Sequence, residues 1–512
     1  MRMYRYTFSL LAYMAILTVC ISCGSSLPAG SQPSKPLDHA STDSVKHNRA
    51  FQTGKYLQSI QNKEVFLRQF FAEMPKGGDL HNHLTGSVYA ETYYDIACMD
   101  SLYVDTLSGK LYPKGIMPST SDSVRLLPDY INSRHALKVK LLDKWSIRNF
   151  HSYTSNIPQD EHFFNAFGLF SATTGNMAVL INELKKRAVH ENVQYLEIMG
   201  TSPNVSSKKM NTIFGENYYE KTNAILLDAI QSADTARTRS VIDSIVNIWE
   251  QNIAWKNEGI AYGKLIDSLD ASSIADTNLV TRYLAYASRK SDPVTVLAQL
   301  HIGFAASNDA ASKVVGVNIV SAENSEISML HYMAHMLMFS ALRGKYPNVK
   351  TSLHAGELTL GLVKPEDLGG HIAQAVYIAK ADRIGHGVDI AFESSSASLL
   401  RYMRENFIPV EINLTSNEFI LGVKDDEHPL PLYVKAGVPL VISTDDAGIL
   451  RTNLAEQYVQ IVRRYGLEYS QIKQLARNSI SYSFLGGDEK RRLMEKLERK
   501  FEAFEENIAN NY

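Results

Sequence analysis

Lys350-Thr351-Ser352-Leu353-His354-Ala355-Gly356-Glu357, followed by a stretch of helical periodicity from Ile372 to Lys380 and then by Arg383-Ile384-Gly385-His386-Gly387, decides how this chain folds. A short apolar run ends in polar residues, a helical segment follows, and a second apolar run ends the same way. Strand, helix, strand is the signature of a parallel βαβ unit. The pattern extends in both directions. Upstream lie the runs Asp79 to Leu84, after the turn-like Pro75-Lys76-Gly77-Gly78, then Val193 to Met199, Val296 to Phe304 and Val314 to Val320. Downstream are Ile408 to Leu414 and Leu440 to Ser443. With Lys350 to His354 and Arg383 to Ile390 these make about eight, and helical periodicity recurs at Ile327 to Leu342 and Ala397 to Asn406. Eight such units favour an α/β chain closed into a (β/α)8 TIM barrel over an open doubly wound sheet, which periodicity alone leaves open.

Two stretches exceed simple connections: Ser101 to Ser155, and Asn204 to Pro293, which reads as largely helical. They predict helical insertions after strands 1 and 2. The segment from Asp488 to Asn507, dense in Lys, Arg and Glu at helical spacing, reads as a solvated helix face.

At the N-terminus Arg2 and Arg5 precede an apolar run from Phe8 to Ile21, the length of a signal h-region and short of the ~20 residues of a membrane span. Ser22, Cys23 and Gly24-Ser25-Ser26 resemble the lipobox of bacterial lipoproteins, with Cys20 in place of the usual Leu. The expected organisation is a lipoprotein-type signal over residues 1–23 ending at a lipidated Cys23, a flexible Ser- and Pro-rich tether over 24–50, and a barrel domain over 51–512. Such a chain is exported and held at the cell envelope by a lipid, on the periplasmic side or the cell surface. An ordinary cleaved signal is the other reading.

Over all 512 residues Lys and Arg number 52 against 54 Asp and Glu, a formal net charge of -2. That balance recruits neither nucleic acid nor an anionic surface, and says nothing of oligomeric state. The three cysteines, Cys20, Cys23 and Cys98, are too few for a disulfide framework or a four-cysteine zinc site. A metal must be held by His and carboxylates.

The polar strand ends supply them. His81 and His83 sit two apart at the end of the first strand, so both imidazoles face one side. His354 ends a later strand with Glu357 within one turn, and Ser443-Thr444-Asp445-Asp446 follows the last. In a parallel barrel all strand C-termini share a face, so these residues meet over its mouth and make a plausible zinc shell of three histidines and one aspartate. Zinc lowers the pKa of bound water and so generates a nucleophile for an electron-poor carbon. Attack on an aromatic ring carbon also needs an acid for a ring nitrogen, and Glu357 is the candidate proton shuttle. His386, between two glycines, is placed to orient the water as base or electrostatic partner. The pair Asp445 and Asp446 divides into one ligand and one substrate contact. Phe163, Phe164 and Phe167 read as helix core in preference to a wall over the substrate, and Asn413 to Asn417 as strand-end caps or pocket residues with equal weight.

Met74-Pro75-Lys76, Leu80-His81-Asn82-His83-Leu84-Thr85-Gly86-Ser87, His354-Ala355-Gly356-Glu357, Gly385-His386-Gly387 and Ser443-Thr444-Asp445-Asp446 together resemble, in order and spacing, the motif set of the adenosine deaminase family of metal-dependent hydrolases, over about Met74 to Asn453. The long additions and the export signal are closer to its secreted, growth-factor-like branch. The resemblance implies one zinc per chain on His81, His83, His354 and Asp445, Glu357 as proton shuttle, His386 beside the attacking hydroxide, and Asp446 bonded to a purine ring nitrogen. It implies hydrolytic deamination of adenosine, with 2'-deoxyadenosine, to inosine and ammonia, the partner being a small purine nucleoside.

Thr85 stands where many members have an Asp contacting the ribose 5'-hydroxyl. Ser321 replaces a Gly whose backbone N–H meets the purine, and Asn318 stands where Asp is usual. Related two-metal enzymes bridge their metals with a modified Lys at the end of the fourth strand. Here Lys313 lies at that strand's beginning, which favours one metal. Another purine, such as adenine or a modified adenosine, and a non-catalytic nucleoside-binding surface lipoprotein remain as alternatives.

Overall fold

The computed structural model describes residues 39–116, 123–127 and 135–512. The signal segment, Cys23 and residues 24–38 of the tether lie outside the described residues. A helix spans His39–Ile60 and so begins inside the stretch expected to be tether. From residue 46 onward the chain belongs to one unit with the barrel. Lys46 and Arg49 each lie 2.8 Å from a carboxylate of the C-terminal helix, Glu502 and Glu506, while Leu57 and Ile60 are buried. Among the described residues no helix is long and apolar enough to cross a membrane.

Eight strands form the central sheet: β1 Gly77–His83, β2 Val193–Met199, β3 Val280–Ser288, β4 Val314–Val320, β5 Lys350–Ala355, β6 Arg383–His386, β7 Val410–Ile412 and β8 Leu440–Ile442. Each pairs in parallel with the next in sequence. The ring is completed just past β8, where the Asp445 N–H donates to the His81 carbonyl at 2.8 Å and the His83 N–H to the Asp445 carbonyl at 3.3 Å. This is the expected (β/α)8 barrel, and its strands are largely buried on both faces because helices cover the outer one.

One expected strand is a helix. Val296 to Phe304 lies within the helix Pro293–Ser307, and the third strand is Val280–Ser288, inside the stretch read as insertion. Pro293 at the first helical position and Asp292 before it are start signals. The helix packs on β3, β4 and the helices Ile253–Ala271 and Glu326–Lys345. Buried nearly all round, it has no polar stripe to show a period, whereas β3 carries Thr281 and Arg282. Other ends shift less: β6 stops at His386 and β7 at Ile412, with a helix starting at Leu414.

The insertion after β1 is not wholly helical. It holds an antiparallel sheet of Tyr103–Asp105, Leu111–Tyr112 and Val124–Leu126 beside the helices Ala90–Met99, His135–Lys144 and Gln159–Phe170. The insertion after β2 is four helices, from Ser207–Phe214 to Ile253–Ala271. The C-terminal helix Gly487–Asn511 is more than a solvated face: Leu493, Leu497, Phe501, Phe504 and Ile508 are buried, and Phe504 meets Phe70 edge-on at 5.0 Å.

Inside the barrel the apolar strands carry a charged cluster. Arg383 on β6 lies 2.6 Å from Glu197 on β2 and 2.5 Å from Glu411 on β7, with its guanidinium 3.7 Å over the Phe484 ring. Glu411 also accepts from Ser352 at 2.7 Å and meets His81 Nδ1 at 2.6 Å. All are fully buried, so each charge depends on its partners. Replacing Arg383 by Ala leaves two carboxylates uncompensated and is expected to cost about 3–5 kcal/mol of stability. Urea unfolding measures this, and an unchanged midpoint would refute the assignment.

Candidate active site

Three histidines and one aspartate converge where β1, β5 and β8 end. His83 Nε2 lies 3.2 Å from His354 Nε2 and 3.3 Å from Asp445 Oδ1, while His81 Nε2 lies 3.5 Å from the same oxygen. Donors held at 2.0–2.1 Å around a tetrahedral ion stand roughly 3.3 Å apart, so these separations fit one cation of zinc's size. His81 Nε2 is buried without a well-formed hydrogen bond, which fits a nitrogen meant for a metal.

The second nitrogens of His81 and His354 are occupied. Glu411 takes His81 Nδ1, and Asn318 Oδ1 accepts from His354 Nδ1 at 3.0 Å. Asn318 Oδ1 also accepts the Ile319 N–H at 2.7 Å, which identifies it as the amide oxygen. Each bond puts the ring hydrogen on Nδ1 and leaves the Nε2 lone pair facing the centre. Asn318 thus supplies the acceptor that the resemblance expects of an Asp.

Glu357 and His386 border the cluster. His386 Nδ1 is 3.6 Å from Glu357 Oε1, and His386 Nε2 is 3.9 Å from Asp445 Oδ2. The turn bearing Glu357 is held by buried Glu323, which accepts the N–H groups of Gly356 at 3.0 Å and Glu357 at 3.1 Å. Glu323 in turn faces His371 at 2.5 Å and Arg289 at 3.5 Å.

Burial, and then the charges of Asp445 and Glu323, hold the Glu357 carboxyl well above the ordinary range, so it keeps its proton near neutrality. Asp446 is raised well above its ordinary value by burial and by Asp445. Burial would also raise Asp445, yet the surrounding imidazoles of His81, His83 and His386 outweigh it and hold that carboxyl well below its ordinary range. Burial brings His386 down to about 3.

A cavity of about 450 Å³ opens over the cluster. Thr85, Ser321, Glu357, His386, Asp445 and Asp446 all line it, together with His83 and His354, while His81 lies beneath. Phe163, Phe164 and Phe167 line it too, so the rings expected as helix core also form a wall of the cavity. Asp446 Oδ1 is buried with no protein partner. Gly86 admits Asp446 there, since a Cβ at Gly86 would fall 1.4 Å from that oxygen. Ser321 holds φ +85°, a region natural to Gly, and its hydroxyl is 2.9 Å from Ser288 Oγ. Lys313 pairs with Asp270 at the other end of β4.

Several site residues were not singled out from the sequence. Glu411 had a legible signal, a carboxylate inside an apolar barrel strand. Asn417, read from the sequence only within Asn413 to Asn417 as a strand-end cap or pocket residue, contacts His386 Nδ1 at 3.0 Å, while His428 behind it had no signal, because the contact joins distant segments. Lys290, exposed at the cavity, also went unremarked.

The family model described as Adenosine deaminase matches residues 256–500, which include His354, Glu357, His386, Asp445 and Asp446. An aminodeoxyfutalosine deaminase of Streptomyces coelicolor is 34% identical over 146 residues, 28% of this chain and 35% of that protein. An adenosine deaminase of Clostridium acetobutylicum is 30% identical over 151 residues, 29% of this chain and 42% of that protein. The aligned stretches therefore span less than half the length of these relatives. Among solved structures, an N6-mAMP deaminase of Arabidopsis superposes with a TM-score of 0.53 at 22% identity, covering 84% of this chain and 99% of that one, which is a likeness of fold.

Gly86→Ala is expected to displace the Asp446 carboxylate while leaving the cluster of His81, His83, His354 and Asp445 able to take up metal. Metal analysis beside a ligand-binding titration checks this: binding falls at least tenfold and metal content holds. Full ligand affinity in this variant would remove Asp446 from the site.

Proposed function

The chain belongs to the adenosine deaminase family of metal-dependent hydrolases, and from that membership we propose that it hydrolyses the exocyclic amino group of a purine nucleoside, adenosine and with it 2'-deoxyadenosine, giving inosine and ammonia. The observation that carries this reading is the juxtaposition of four donors at tetrahedral spacing with a carboxyl held protonated, both at one cavity of nucleoside size. Three imidazoles and a carboxylate are a zinc set, and with Lys313 tied to Asp270 away from the site, one ion per chain is the matching count.

Zinc held there supplies a Lewis acid that brings the pKa of water towards neutrality. The chain's own groups do the rest. Glu357 gives its proton to a purine ring nitrogen, which draws electrons from the amino-bearing carbon and opens it to water. Water adds, the C–N bond breaks, ammonia leaves with protons shuttled through Glu357, and a carbonyl remains. Asp446, held protonated and with Oδ1 free of any protein partner, donates to another ring nitrogen. Phe163, Phe164 and Phe167 cover the base and keep bulk water away. The Ser321 backbone N–H and the Thr85 hydroxyl complete the substrate contacts.

One observation favours a second reading of the substrate. Lys290 borders the cavity with no partner for its ammonium among the described residues, as a purine nucleotide would require. The structurally similar Arabidopsis protein acts on a nucleotide. Parallel assays on adenosine, 2'-deoxyadenosine, adenine, AMP and N6-methyl-AMP separate the readings. The N-terminal pattern, independent of the barrel, supports export and lipid anchoring at Cys23. Cys23→Ala is expected to release the protein from the membrane fraction; unchanged fractionation and processing would sink this.

With adenosine, ammonia release and the ultraviolet change to inosine are expected to depend on about one zinc per chain and to stop with a chelator. Glu357 acts in its protonated form, so the rate is present at lower pH and is lost as pH rises through the raised pKa. Glu357→Gln, which cannot pass a proton, should lose roughly 10²–10⁴-fold in kcat and keep its zinc. An undiminished rate in that variant would overturn the reading.

A further inference from the structure

His386 stands on a chain of hydrogen bonds that begins at a group whose hydrogen is beyond doubt. The Leu430 backbone N–H donates to His428 Nδ1 at 3.1 Å. That nitrogen therefore carries no hydrogen, and the ring hydrogen of His428 is on Nε2. His428 Nε2 lies 3.0 Å from an oxygen of Asn417, which can only accept. The remaining amide atom of Asn417 is then its NH2, and it lies 3.0 Å from His386 Nδ1. An NH2 facing a ring nitrogen requires a lone pair there, so the hydrogen of His386 is on Nε2. Each step follows from the one before, once the His428 ring is placed with Nδ1 towards the Leu430 N–H.

We propose that Asn417 and His428 are positioning residues which hold His386 as the Nε2–H tautomer, so that His386 meets the attacking oxygen as a hydrogen-bond donor and does not take up its proton. The functional part rests on the deaminase reading above; the tautomer does not.

The surroundings agree. Asn417 is fully buried, His386 and His428 nearly so, and burial keeps both imidazoles uncharged, at about 3 in each case. Arg464 near His428 acts in the same direction. The Nε2 side of His386 faces Asp445 Oδ2 at 3.9 Å, an acceptor that an N–H suits and a lone pair would oppose. On the Nδ1 side Glu357 is 3.6 Å away, and its protonated carboxyl adds no charge against a bare nitrogen. His386 is 1% exposed, so its closely packed ring cannot readily turn to exchange its nitrogens. Of the two roles read from the sequence, base or electrostatic partner, the hydrogen-bond chain selects the second.

Nitrogen NMR of the whole chain, labelled in histidine, reads which ring nitrogen carries hydrogen, with signals assigned by their loss in His386→Asn and His428→Asn. The expected result, with or without zinc, is Nε2–H for both rings. Asn417→Asp keeps size and still accepts from His428, but presents only acceptors. It should draw the hydrogen of His386 onto Nδ1 and lower kcat roughly ten- to hundred-fold with KM little changed. Should this variant fail to fold, His428→Leu is the alternative, since it frees the amide to turn and lets His386 populate both tautomers. Nδ1–H on His386 in the parent chain, or an unmoved tautomer in Asn417→Asp, overturns the proposal. A flipped tautomer at full kcat overturns the donor role. If the parent chain turns over no purine while His386 shows Nε2–H, the deaminase reading falls and the tautomer assignment stands.

Discussion

Glu411 satisfies three partners at once inside the barrel: Arg383 at 2.5 Å, Ser352 at 2.7 Å and His81 at 2.6 Å. None can be removed without leaving a buried charge or an ill-directed ring, and Glu197 balances the other side of Arg383 at 2.6 Å. A barrel interior filled only by branched apolar side chains would be at least as stable. This one holds charge because the cluster joins the bottom of the barrel to the metal-facing histidines at its mouth. Attraction from Arg383 and His81 holds Glu411 down to about 2 although burial opposes it, so it remains an acceptor at any working pH and His81 keeps its hydrogen on Nδ1.

The mouth is where the chain departs from local preference. Asp445, His386 and Ser321, each just at or past a strand end, take φ of +59°, +68° and +85°. Non-glycine residues held so cost of order 1–3 kcal/mol apiece. Asp445 is the most constrained, since its backbone closes the ring against β1 while its carboxylate joins the donor cluster. Ring closure and ligand placement are thus one event, and the strain at this residue is offset by the barrel that it closes.

This explains which parts were legible in the sequence. Strand-end motifs were, because a parallel barrel projects short apolar runs and their polar ends onto one face, and His81, His83, His354 and Asp445 fall together accordingly. β3 was hidden because the helix after it, Pro293–Ser307, is apolar all round and more strand-like in composition than Val280–Ser288. His428 was hidden for a different reason, and Asn417 was legible only as one of the strand-end residues Asn413 to Asn417. Their value lies in a hydrogen-bond direction fixed by the Leu430 N–H, which no spacing encodes. The antiparallel sheet in the first insertion rests on strands of two or three residues, too short for an alternation to register.

Asp445 and Asp446 are neighbours shifted in opposite directions, Asp446 raised first by burial and then by the charge of Asp445. His81 and His83 keep Asp445 ionised; its charge, added to burial, keeps Asp446 and Glu357 protonated. The proton content of both carboxyls in the pocket therefore depends in part on a residue of the donor cluster. A cation at the cluster offsets part of the Asp445 charge and so weakens this push, but burial, the larger cause for both acids, is untouched by it. The protonated state of Glu357 thus has two supports of different origin, and the one that survives metal binding is the apolar cover supplied by the first insertion, through Phe163, Phe164 and Phe167.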